Sequence, residues 1–268
     1  MHLSRPHLAP GLRVVRRGLD QLQIGLYDGR RVLLPRSGSV TDTIARLLER
    51  GAPGEVPDPA GAAVLDLLDR NGCLAWDRPA RGDRRAVAVV GRLEIPGLPE
   101  VGALLGASDV AITSSNADAD VVLVLSAGEL DRDLLDPLIR RRASHLVVRL
   151  VDGDAILGPF VVPGATACLR CIDAHHMVHD PDHVAVTTRY VQATDHARPD
   201  GIPDLDPGLA SVALSWAVRD LVAHLRGREP STWSRTVHLG AEPVRRHEHT
   251  WLRHPKCGCS WPAESSAR

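Results

Sequence analysis

Lysine is almost missing from this chain: among its 32 basic residues only Lys256 is a lysine, and every other cation is arginine. Walker-A ATPases, Schiff-base enzymes and protein kinases each need a lysine in a defined local setting, which His254-Pro255-Lys256-Cys257 does not supply. Aromatic residues are also scarce, with five Trp, two Tyr and one Phe. A base-stacking platform is therefore hard to build, and the cores must be mainly Leu, Val, Ala and Ile. Charge of one sign is lacking too. The formal net charge is -1, which argues against nucleic acid held by a global positive field. The longest apolar runs, such as 121–125, are strand-sized, and Met1-His2-Leu3-Ser4-Arg5-Pro6 has no apolar signal region. No membrane span and no export are expected, which places the protein in the cytoplasm.

What is present is enough for real cores: 268 residues, 44% hydrophobic and 24% charged, read as one small and one larger α/β domain. Segments 12–17 and 21–26 alternate like half-buried strands. Asp28-Gly29 is a two-residue hairpin signal before Arg31-Val32-Leu33-Leu34, so a three-stranded meander is expected. Val40, Ile44, Leu47 and Leu48 recur at helical spacing, and a second helix starts at the Asp58-Pro59 cap and stops at Asn71-Gly72. A short strand over 73–76 completes a winged-helix-like unit of residues 1–80, and 77–85 reads as a linker.

From residue 86 strands and helices alternate. Strands are expected over 86–90, 110–113, 121–125, 145–150 and 156–162, with helices near 99–105 and 130–142, which reads as a parallel, doubly wound sheet over 86–268. Asp206-Pro207 caps a helix running to Leu225, and strand-like stretches at 236–239 and 244–251 precede the tail. Val90-Gly91 begins like a dinucleotide-binding turn, but Arg92-Leu93-Glu94-Ile95-Pro96-Gly97 follows instead of a glycine-rich phosphate loop.

The sharpest chemical signal is Cys168-Leu169-Arg170-Cys171 together with Cys257-Gly258-Cys259. Tetrahedral zinc takes four thiolates, and in a reducing compartment paired cysteines point to metal before disulfide. A closed four-sulfur site makes the ion structural; a redox C-x-x-C is the alternative. Cys73, alone in an apolar strand, reads as a core residue. His175, His176, His179, His247, His249 and His254 invite a second metal site, against which stands a solvated helix face, and His254 is a candidate alternate ligand.

The C-x-x-C after a strand, the long helix and the closing cysteine pair resemble the adenylyltransferases of the ThiF and MoeB type. The motifs at 159–171 and 254–259 resemble more specifically the leader-peptide-binding, adenylyltransferase-like proteins of azoline-type ribosomal peptide biosynthesis, a bacteriocin-related chemistry. That resemblance implies a non-catalytic subunit, with a winged-helix peptide clamp in residues 1–80. It would present a precursor's leader peptide to a YcaO-family ATP-dependent cyclodehydratase; a homodimer is a further expectation. The phosphate loop, a lysine between Gly91 and Cys171 and an acidic residue directly after strand 121–125 are absent, so ATP binding is not expected. Two readings stand beside it: an active ThiF-like adenylyltransferase, and a DNA regulator whose helix 41–50 would offer only Arg46 and Arg50. For the clamp, strand 30–34 is the expected receiving edge, with Arg30 and Arg31 steering an acidic peptide and Val32, Leu33 and Leu34 lining its path.

Overall fold

The computed structural model describes residues 6–48, 58–76, 85–91, 93, 98–195, 206–240 and 246–260. The linker 77–84, the turn residues 92 and 94–97, and Arg50 lie outside them. The chain divides into two compact units, residues 1–83 and 84–268.

In the first unit β1 (Pro6–Leu8), β2 (Val14–Arg17), β3 (Gln21–Ile24), β4 (Val32–Pro35) and β5 (Leu74–Trp76) surround α1 (Gly38–Leu48) and α2 (Pro59–Arg70). The meander β2-β3-β4 is antiparallel, with Val14 opposite Ile24 and Ile24 opposite Val32. Period-2 alternation turns Leu22, Ile24, Val32 and Leu34 inward, where they pack with Val40, Ile44 and Leu47 of α1 and Val64 and Leu68 of α2. Asp58 caps α2 by accepting from Gly61 N at 2.7 Å, and its other oxygen accepts from Ser39 Oγ at 2.6 Å.

One expectation is corrected here. Asp28-Gly29 does not make a two-residue hairpin: residues 25–31 join β3 to β4, with a 3-10 turn over Asp28–Arg30. Gly25 opens this loop at φ +74°, and a Cβ there would meet the Arg30 carbonyl. The short strand expected over 73–76 is present as Leu74–Trp76, and it pairs with β1, a strand that the sequence reading did not contain. Three residues, Pro-His-Leu, are too few to show a period in sequence.

The second unit is built on a sheet of β6 (Ala86–Val90), β7 (Ala111–Thr113), β8 (Val121–Ala127), β9 (His145–Val151), β10 (Asp154–Val161), β11 (Arg235–Leu239) and β12 (Arg246–Thr250), in the order β12-β11-β10-β9-β8-β6-β7. Its half from β7 to β9 is parallel; β9 to β12 is antiparallel. The expected parallel sheet is thus a mixed one. Asp152 (φ 54°) and Gly153 (φ 83°) join β9 to β10 in two residues, a connection open only to antiparallel neighbours.

Helix α7 (Pro207–Leu225) covers one face, setting Ala213, Ala217 and Leu221 against Leu146, Leu157 and Phe160. Leu135, Leu138, Leu169 and Ile172 cover the other, against Val122, Val124 and Val147. They come from a 3-10 turn (Arg132–Leu135), α4 (Asp136–Arg140) and α5 (Leu169–His176), so the amphipathic stretch 130–142 is a broken helix. Helices α3 (Val101–Gly106) and α6 (His183–Asp195) complete the unit. Among the described residues, no helix is long and apolar enough to cross a membrane.

Candidate metal centre and peptide-facing edge

Strand β10 ends at Val161, and the next turn delivers the first cysteine pair. Val162 N donates to Thr166 Oγ1 at 2.7 Å, and Ala167 N donates to Ser234 Oγ at 2.9 Å, so the turn is fastened at both ends. Cys168 sits at the N-cap of α5 and Cys171 in its first turn. The tail closes on them: Cys257 N donates to the His254 carbonyl at 3.0 Å, aiming the second pair back at the first. Sγ separations are 3.8 Å for Cys168–Cys171, 3.6 Å for Cys168–Cys257 and 3.4 Å for Cys171–Cys259. All four sulfurs lie within 4.8 Å of one another and all four residues are buried.

These distances are too long for a disulfide and close to the edge of about 3.8 Å that a tetrahedron with 2.3 Å metal–sulfur bonds requires. The set can hold a metal ion. Shared hydrogen bonds move the thiols in opposite directions: the Cys171 contact pushes Cys168 up, whereas the Cys168 contact pulls Cys171 down. A bound cation would hold all four as thiolates. Trp251, Ile139, Val161 and Ala167 pack around the cluster and dry it.

The histidines do not assemble likewise. His176 stacks on His183 at 4.6 Å between centroids, and His249 lies 3.9 Å from Trp251. Among the described residues only the cysteines bring three or more ligand atoms together. His254 acts through its backbone carbonyl, while its ring Nδ1 accepts from Lys256 N at 3.3 Å.

A second buried arrangement was not foreseen from sequence. Glu129, just past β8, accepts from Arg149 Nη1 at 2.6 Å and 2.7 Å and from Arg132, whose fork clasps Asp173 at 2.8 Å on both oxygens. Burial alone would raise the Glu129 carboxyl; Arg149 and Arg132 override it and hold it at about 2. The sequence signal was Arg149 itself, a cation inside a strand that is otherwise apolar apart from His145. This cluster lies beside the sheet's topological switch point, where β7 and β8 flank β6 and α/β proteins commonly bind ligands. Gly91, at φ +79°, closes against β8 there, so that a Cβ would strike the Leu125 carbonyl.

In the first unit, Arg30 lies in the 3-10 turn rather than in a strand, and Arg31 pairs with Asp28 at 2.7 Å. The strand expected over 30–34 therefore starts at Val32, two residues later than expected. Val32 and Leu34 are core residues, and Leu33 is exposed on the opposite face. Strand β4 is the outer strand of its sheet, and among the described residues nothing pairs with its free edge.

No protein-family model matches the chain, and no curated protein matches it by sequence. Solved structures do. The heterocyclase TruD superposes with a TM-score of 0.65 at 18% identity, covering 96% of this chain and 43% of TruD. A heterocyclase in complex with substrate and cofactor gives 0.60 at 17% identity, covering 96% and 39%. MccB of E. coli, solved with ATP, gives 0.55 at 13% identity, covering 96% and 100%. The chain has the fold of MccB and of the matched part of TruD. It spans less than half of TruD and the full length of MccB. The resemblance read from the cysteine motifs thus holds for the fold.

Proposed function

We propose that the protein is a non-catalytic subunit that binds the leader peptide of a ribosomally made precursor and presents it to a YcaO-family ATP-dependent cyclodehydratase. Residues 1–80 act as a winged-helix-like clamp, in which the leader adds a strand to β4. Backbone groups of Val32, Leu33 and Leu34 pair with it, and Arg30 and Arg31 draw in its acidic side chains. Residues 86–268 are an adenylyltransferase-like scaffold. A structural zinc ion held by Cys168, Cys171, Cys257 and Cys259 pins its tail to α5, supplying cohesion rather than chemistry.

The observation that carries the non-catalytic reading is Glu129. Among the described residues, the carboxylate just past β8 is engaged by buried Arg149 and partly buried Arg132, and no lysine lies between Gly91 and Cys171 to meet a phosphate. Support for peptide handling comes from the neighbours, among them MccB crystallised with MccA. One observation favours the alternative of an active adenylyltransferase: the likeness to MccB spans that whole protein, and MccB was solved with ATP.

Two measurements on the full chain decide between them. Calorimetric titration with an acidic leader peptide is expected to show saturable binding, and ATP-pyrophosphate exchange is expected to stay at background with the same peptide present. Exchange above background that disappears in Gly91→Ala would establish the adenylating alternative.

A further inference from the structure

Proposed strand addition leaves one cavity of the first unit unused. Val15, Gln23 and Leu33 stand in a row across β2, β3 and β4. Their parity is opposite to that of the core residues, so the row lies on the sheet face turned away from α1 and α2. At the start of β2, residues Leu12, Arg13, Val15, Leu26, Tyr27 and Arg30 surround an open cavity of about 710 Å³. Its floor is fixed: the Gln23 amide accepts from Arg17 Nη1 at 3.1 Å and donates to the Gly25 carbonyl at 2.9 Å.

The lining combines two properties. Val15 is 50% exposed, Leu26 70% and Tyr27 81%, and large apolar side chains gathered around a concavity mark a binding surface more than scattered ones do. Arg13 and Arg30 add charge, and neither has an acidic partner among the described residues; the nearby Asp28 is engaged by Arg31. Residues 12–36 contain six arginines and two aspartates. A complementary occupant is acidic and carries a bulky apolar group.

We propose that this cavity holds an aromatic or branched side chain of the precursor peptide, from the acidic segment flanking the stretch that pairs with β4. This rests on the reading of β4 as the receiving edge. The continuity is physical: β4 begins directly after Arg30 and Arg31, so a peptide paired along Val32–Pro35 passes Arg30 where it leaves the strand, and Arg30 is itself a wall of the cavity. Strand pairing alone reads side chains only on alternate positions; an anchor beyond it adds affinity and fixes the register of the pairing.

The test uses the full chain and three synthetic peptides: a ten-residue alternation of Leu and Glu, and the same peptide extended by Glu-Asp-Phe-Glu at one end or the other. One extended peptide is expected to bind roughly tenfold more tightly than the short one, the gain from burying one large apolar side chain. Val15→Trp, which fills the cavity, and Leu26→Ser, which removes a wall, are both expected to abolish that gain while leaving the short peptide's affinity within about twofold. Both positions are exposed, so folding is not at stake. If all three peptides bind equally, or the gain survives both variants, the cavity proposal is overturned and the β4 reading stands. If the short peptide fails to bind, the β4 reading fails and this one with it.

Discussion

Arginine serves opposite ends in the two units. In residues 84–268, Arg149 is buried and Arg132 nearly so, two cations paired around Glu129 with Asp173 closing the set. In residues 1–83, Arg13, Arg16, Arg17, Arg30, Arg31 and Arg36 are all exposed on or beside a three-stranded sheet. Burial decides the difference. A desolvated guanidinium must be neutralised and becomes part of the framework, whereas an exposed one keeps its hydration and remains available to a ligand. The strands follow the same division: β8, β9 and β10 are buried along nearly their whole length, and β4 alternates buried with exposed. One unit is organised as a scaffold and the other as a surface.

The contrast breaks most visibly at the cysteines. Cys257→Ser is expected to destabilise the second unit by several kcal/mol, on the order of 5, because a lost metal belongs to the few mechanisms that cost so much. Metal analysis should find one zinc per wild-type chain and much less in the variant, and Trp251 fluorescence should report the loosened tail. An unchanged unfolding midpoint with no zinc in the wild type would remove the metal from the scaffold.

Next in size is Glu129→Gln, which takes the carboxylate partner from buried Arg149 while Arg132 keeps Asp173, and is expected to cost roughly 3–5 kcal/mol in denaturant unfolding at neutral pH. The pH dependence supplies an independent check. The Glu129 carboxyl is held down at about 2, so its stabilisation is complete above its ordinary value of 4.5 and is lost as the pH falls from there towards 2. The variant should lack that part of the acid-side decline. Equal slopes in the two proteins would mean that the cluster is not holding the fold.

The smallest effect is expected on the exposed side. Arg31 is already paired with Asp28 in a solvent-exposed contact, so Arg31→Glu should leave stability within about 0.5 kcal/mol. Its effect should fall on an acidic leader, whose affinity is expected to drop several-fold at low salt and less at high salt. A salt-independent loss, or a large loss of stability, would place Arg31 in the framework and dissolve the contrast between the units.

Much of this architecture was legible in the residues. The Asp58-Pro59 and Asp206-Pro207 caps mark the starts of α2 and α7, and the strands read over 86–90, 121–125 and 145–150 announce themselves as largely apolar stretches. These are local signals, carried by a side chain and its near neighbours. Two of the Asp-Gly pairs show where locality ends. Asp152-Gly153 makes the tight hairpin and Asp28-Gly29 does not, because each dipeptide permits the turn and the register of the flanking strands decides whether it forms. The Glu129 cluster escaped for a related reason, since Arg149 and Asp173 declare their roles only once a strand and a helix far apart in sequence are packed together.

The sequence by itself determined the two-unit order, the four-cysteine donor set and the positive character of residues 12–36, because spacing, residue chemistry and local charge do not depend on distant packing. Tertiary structure alone decided which half of the large sheet is antiparallel, which arginines are neutralised and which stay open, and that β4 presents a free edge beside a cavity. Each of these turns on partners brought together across long stretches of chain, where desolvation and strand register, not local propensity, set the outcome.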